Sequence, residues 1–169
     1  MLGAKCRVPQ AWFGIDVLLG LLKGGGIAMD FAVFGVLETK NGTLLVQERG
    51  NFAKKMWKLP GGRPTEEERD YPSEWVLQRE FHDEVRVIIL EPQQKDFILE
   101  LLKKRGEKEY KILFYRVTHY SGDPLPSNEI EKCQLFSRDE IRSMIKAGEI
   151  VPDHAQALGA YFDKAASSI

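Results

Sequence analysis

The stretch SEWVLQREFHDEV, Ser73–Val85, limits what this chain can fold into more than any other. Leu77, Phe81 and Val85 recur one helical turn apart and make an apolar stripe, with Trp75 expected near its edge. Glu80 and Glu84 are four apart, and Glu80 and Asp83 three apart, so a helix places the three carboxylates on one side. Such a helix must bury one face against a partner layer and carry clustered acid on another. Ser73 can cap it, or Pro72 can sit at its entry. Arg79 precedes the acids, where it can pair with Asp83 or orient a glutamate from the loop before it. That loop holds Gly61 and Gly62, then Glu66, Glu67 and Glu68. Two readings of the acids compete. One is a solvated helix face; the other is an oxygen cradle for a hard divalent cation, with a backbone carbonyl near the glycine pair completing the shell. Glycine pair, acidic loop and acidic helix in succession favour the cradle.

Around this helix the pattern is mostly strand. DFAVFGVLET and LLVQER flank Asn41-Gly42, a strong hairpin signal. RVIILEP reads as a strand bounded by Pro92, and DFILELLKK and EYKILFYRVTHY as a long hairpin turning at RGEK. A loop with two prolines, SGDPLPSN, leads to a short strand in EIEKCQLFS. SRDEIRSMIKAG is a helix with Ser137 and Glu140 in a capping box and Gly148 at its end, and PDHAQALGAYFDKAA is a last helix. Strands, one helix, strands and then two helices predict an α+β or mixed-sheet sandwich fold, not a doubly wound repeat.

At 169 residues the chain has room for one domain with a core. Its net charge of −1 supplies no basic field for nucleic acid, and no zinc-finger, RNA-binding aromatic or Walker pattern occurs. Cys6 and Cys133 are too few for a disulfide framework, so a reducing compartment fits and a cytoplasmic location is expected. Residues 1–28 read as an extension and 29–169 as the domain. The apolar run Ala11–Leu22 is broken by Asp16 and is shorter than a membrane span, so no transmembrane segment is expected. Nor does a signal-peptide cleavage pattern follow it. Three readings of the run stay open: a helix docked on the domain, a segment for a membrane surface or a partner (a homodimer arm included), and sequence ahead of a working start at Met29.

The central stretch resembles the Nudix hydrolase motif, in which a glycine, five residues, a glutamate and seven residues precede R-E-hydrophobic-x-E-E-x-G-hydrophobic. Gly62, five residues and Glu68 match its beginning, and Arg79 to Val85 match its core, with Asp83 where Glu is usual. WKLPGG is similar to the family's lead-in. Two features depart from the pattern. Ten residues separate Glu68 from Arg79, a surplus of three that falls in RPTEEERDYP, and Arg86 stands where glycine is expected. Counting back from Arg79 puts Tyr71 in the glutamate slot, so Glu66, Glu67 and Glu68 all stay candidates.

The resemblance implies a Nudix-like fold over the domain, a mixed β-sheet sandwiched between α-helices, and metal-dependent hydrolysis of a diphosphate linkage in a nucleotide or nucleoside-diphosphate-linked small molecule. It implies Mg²⁺ or Mn²⁺ held by Glu80, Glu84, Asp83 and the Gly61 carbonyl. Arg79, Glu68 and Glu129 would join Glu80 and Glu84 in the catalytic set, with Glu129 or a loop glutamate as base. Arg49, Lys58 and Trp57 are candidates for the substrate's distal phosphate, ribose or base; core packing is the competing fate of Trp57, Phe114 and Tyr115. The long loop and Arg86 motivate the alternative, a catalytically weakened Nudix-fold module for nucleotide binding or regulation.

Overall fold

Alternation along the first strand sets the layers. The computed structural model describes residues 29–50, 55–127 and 129–166, and within them β1 spans Asp30–Thr39. Val33 and Leu37 enter one apolar cluster and Val36 the other, as the two-residue period of a strand buried on both faces requires. β1 turns at Lys40 and Asn41 into β2 (Gly42–Glu48), the expected hairpin. The two part company beyond the turn, because β3 (Gly61–Gly62) takes the place beside Val33 and Phe34. On its other edge β1 runs parallel to β6 (Lys108–Val117) from Asp30 to Leu37, and β6 pairs antiparallel with β5 (Phe97–Arg105). β8 (Ile130–Phe136) closes the far edge against β2. The sheet therefore runs β5-β6-β1-β2-β8, and it is mixed.

Helix α1 (Ser73–Val85) covers one face. Val76, Leu77, Phe81 and Val85 are each at most 1% exposed, worth about 1.5–3 kcal/mol apiece in apolar burial. Pro72 stands at the cap position, and Ser73 Oγ instead meets Glu74 and the Tyr115 hydroxyl. The other face is covered by α2 (Arg138–Ala147) and α3 (Pro152–Ala166), which bring Ile141, Met144, Leu158 and Phe162 onto Val36, Leu45 and Phe114. The expected capping box opens α2: Ser137 Oγ accepts from the Glu140 N–H, and Glu140 Oε2 accepts from the Ser137 N–H at 2.7 Å. Phe114 and Tyr115 are buried in the two cores.

The strand expected over RVIILEP shrinks to β4 (Ile88–Ile89), because it lies off the main sheet and finds only the two-residue β7 (Tyr120–Ser121) to pair with. Residues 1–28 lie outside the described residues, and with them every reading of the apolar run. Among the described residues no helix is long and apolar enough to cross a membrane.

Arg86 takes the helix-ending role that the sequence pattern gives to glycine. Its φ of 60° and ψ of 20° are left-handed, and it alone among the described non-glycine residues has a positive φ. Its N–H donates to the His82 carbonyl, and the Val87 N–H to that of Phe81, so the helix ends in a Schellman arrangement despite the side chain. A left-handed non-glycine residue carries about 1–2 kcal/mol of steric cost, partly offset by glycine's greater chain entropy when unfolded. Arg86→Gly is accordingly expected to raise stability by about 0.5–1 kcal/mol. Urea denaturation checks it, and a variant less stable than the parent would show that the Arg86 side chain contributes more than its backbone costs.

Candidate functional site

The site is built where α1, β3 and the end of β2 meet. β3 brings Gly61 under the last turn of α1, where the Gly61 N–H donates to Glu84 Oε2 at 2.8 Å. At φ 134° Gly61 presses against β1, and a Cβ there would lie 2.2 Å from the Val33 carbonyl oxygen. Gly62 leaves space for the next acid: a Cβ there would stand 2.7 Å from Glu80 Oε1. Closeness to strand backbone requires the glycine at Gly61, whereas at Gly62 the neighbour is the end of a side chain.

Lys58 joins the carboxylates. Its ammonium lies 2.7 Å from Glu48 Oε1 and 3.1 Å from Glu84 Oε1, and it donates to the Gly61 carbonyl at 3.3 Å. Three N–H donors thus meet three oxygens. The Lys58 side chain is 12% exposed and that of Glu84 9%. Burial alone would lower the Lys58 pKa; attraction to Glu84 and Glu48 outweighs it and holds the ammonium above its usual range. Glu84 is pushed up by burial, against the pull of Lys58 and the Gly61 N–H. The two shifts favour opposite states of one ion pair. The ammonium is the better compensated partner, since Glu84 also faces the Glu48 carboxylate.

Arg79 organises the other half. Its Nε donates to Glu68 Oε1 at 2.7 Å, and its Nη2 to Glu80 Oε1 at 2.9 Å and to the Arg63 carbonyl at 3.2 Å. Glu66–Glu68 form a single 3-10 turn that folds the long loop back onto the helix. Of the three loop glutamates, Glu68 is therefore the one on Arg79, while Glu66 pairs with Arg69 at the surface. Glu80 is pushed up to about 7, first by burial, against the pull of Arg79, and further by Glu84.

The structure gathers Glu80, Glu84, Lys58, Gly61, Arg79 and Glu68. Asp83 is turned outward: its side chain is 52% exposed and meets Arg79 Nη1 at 3.5 Å and His82. Glu80, Asp83 and Glu84 thus do not share one side, because steps of three and four residues diverge around the helix. Glu129 is brought near through its backbone. The Ser127 N–H donates to the Glu84 carbonyl and the Arg49 N–H to that of Glu129, while the Glu129 and Arg49 side chains face solvent. Trp57 lies elsewhere. Its indole packs edge-on to Phe136 at 4.7 Å and lines a cavity of about 520 Å³ with Asp139, Glu140 and Glu149.

Sequence reasoning missed Glu48 and gave His154 no role. Glu48 ends β2 opposite Ile130, a pairing with no local signal. His154 of α3 is buried, and its Nδ1 accepts the Leu59 N–H at 3.0 Å. Burial, aided by the Lys58 charge, lowers its pKa to about 3, so it stands there neutral.

The NUDIX domain family matches residues 28–159. The chain belongs to the Nudix family. Solved structures share the fold at low identity. The E. coli ORF135 protein is 18% identical with a TM-score of 0.65, over 85% of this chain and 97% of that one. A Nudix hydrolase from Nitrosomonas europaea is 21% identical with a TM-score of 0.62, over 80% and 90%. The Nudix domain of Shewanella oneidensis NrtR, determined with ADP-ribose, is 16% identical with a TM-score of 0.62, over 87% and 97%. No curated protein matches the chain.

Nudix proteins generally hydrolyse diphosphates and bind Mg²⁺ or Mn²⁺. In this Nudix domain the donors are hard oxygens, the right chemistry for such ions. Their directions do not fit one. Glu84 Oε1 faces Lys58 and Oε2 the Gly61 N–H, Glu80 Oε1 faces Arg79, and Asp83 points away. Among the described residues no three His, Cys, Asp or Glu side chains converge on a point that could hold a metal ion. As built, the oxygens hold an ammonium.

Proposed function

We propose that this Nudix domain recognises a diphosphate linked to a nucleoside and that its hydrolytic power is held down at Lys58. The observation that carries the reading is the Lys58 ammonium seated on Glu48 and on Glu84 and the Gly61 carbonyl, the last two among the oxygens that the family resemblance gives to a divalent ion. Without a bound cation the acids of α1 repel a diphosphate, and the Lys58 ammonium is already taken by three oxygens, so what binds must draw on the exposed Arg49. The Shewanella domain captured with ADP-ribose supports a nucleoside-diphosphate-linked ligand on this fold.

A second reading is efficient metal-dependent pyrophosphohydrolysis, with Glu80 and Glu84 essential and Glu129 or Glu68 as base. One observation favours it: the Glu68–Arg79–Glu80 chain is assembled across the lengthened loop. Under this reading the carboxylates must release Lys58 before they can serve.

A panel of nucleoside triphosphates, nucleotide sugars, dinucleoside polyphosphates and ADP-ribose separates the two. Binding is measured by calorimetry in chelator, and turnover with Mg²⁺ and with Mn²⁺, products being identified by mass. The proposal expects binding of at least one compound, with kcat below about 1 s⁻¹, the low end for enzymes. Turnover well above that, falling about a hundredfold or more in Glu84→Gln, would establish the hydrolytic reading instead. No binding and no turnover would defeat both.

A further inference from the structure

We infer that Lys58 is a tethered counter-cation that competes with divalent metal for the oxygens of Glu48, Glu84 and Gly61, so that metal binds only when this side chain leaves. The inference rests on the reading of Glu84 and the Gly61 carbonyl as the metal-accepting part of the site, with Glu48 the third anchor of the ammonium. Everything around the Lys58 stem fixes its backbone. Lys58 and Val46 exchange both N–H bonds at 2.9 Å, the Trp57 N–H is taken by the Glu149 carbonyl, and the Leu59 N–H by His154. Only the side-chain torsions are left to swing. The head is matched to its oxygens, and the Phe34 ring lies 5.8 Å from the ammonium, a cation–π distance that adds to its hold.

A charge tethered this way occupies its oxygens at an effective concentration no free cation reaches in dilute buffer. Metal affinity is then reduced by the fraction of molecules in which the ammonium has left. Two cations cannot share Glu84 Oε1 at bonding distance without severe repulsion. The ammonium and the metal are therefore alternatives, and Lys58 sets the metal concentration at which the site changes state.

The test is Mn²⁺ titration of the full chain by calorimetry, without nucleotide, for the parent, Lys58→Met and Lys132→Met. The last removes an exposed lysine of β8 and so measures the general effect of losing one positive charge. Lys58→Met is expected to bind Mn²⁺ at least about tenfold more tightly, a gain that Glu84→Gln abolishes, and Lys132→Met to change affinity less than about threefold. A gain in Lys58→Met no larger than in Lys132→Met overturns the inference. Should Lys58→Met fail to fold, reductive methylation of the parent decides. Millimolar Mn²⁺ is expected to speed methylation of Lys58 several-fold by releasing its amine, and an unchanged or slower rate overturns the inference. Because no nucleotide is involved, this outcome is separate from diphosphate recognition, which fails only if the compound panel shows no binding.

Discussion

Gly61→Ala is expected to destabilise the domain by about 3–5 kcal/mol, combining backbone strain, overpacking and damage to a buried charge-assisted hydrogen bond. The new Cβ would lie 2.2 Å from the Val33 carbonyl oxygen and 2.7 Å from the Phe34 Cα. Both are backbone atoms of a strand pinned along its other edge by parallel pairing from Asp30 to Leu37. Neither can step aside as a flexible side chain would. A φ of 134° is also closed to alanine at low cost. Any shift of Gly61 draws its N–H away from Glu84 Oε2, which is 7% exposed as a residue and has little water to turn to. Urea denaturation with far-UV circular dichroism measures the loss. A cost under about 1 kcal/mol would mean that β3 relaxes freely, and that Glu84 is not held by this backbone.

What the sequence made legible follows from periodicity. The span of α1, its buried stripe and the Ser137 capping box are local signals, and each appears where the pattern placed it. The Asn41-Gly42 signal finds the right hairpin, with its turn one residue earlier, at Lys40 and Asn41. The mixed sheet between helices was legible from element order together with the family pattern. The departures from that pattern looked more disruptive in one dimension than they are in three. The turn at Glu66–Glu68 still delivers Glu68 to Arg79 despite the surplus residues that follow it, and Arg86 adopts the glycine-like conformation. What stayed hidden is long-range. Lys58 looked like a free cation for a distal phosphate, because nothing near it in sequence shows that Glu48 and Glu84 close around it from two other elements. Asp83 was misplaced for a simpler reason: spacing gives neighbours on a helix but not which of them the sheet covers, and the boundary falls between Asp83 and Glu84.

That boundary gives the stability a pH signature. Glu80 sits 12% exposed beside Arg79, with its pKa raised from 4.5 to about 7 by burial, against the pull of Arg79, and by Glu84. A carboxyl whose folded pKa lies above its unfolded one binds more protons when folded. Stability therefore falls as pH rises between the two values. In chelator, the domain is expected to lose stability from about pH 4.5 to pH 7 by on the order of 3 kcal/mol from this group, superimposed on other titrations. Glu84, raised in the same direction by burial, adds to the slope. Glu80→Gln keeps the shape and removes the proton, so its stability is expected to be flatter over that window and higher than the parent's near pH 8. The comparison is a set of urea midpoints across pH for both proteins. Parallel curves would mean that Arg79 holds Glu80 ionised throughout. The same electrostatics implies that a cation entering beside Glu80 removes the slope, because a charge that the fold leaves undercompensated is then balanced.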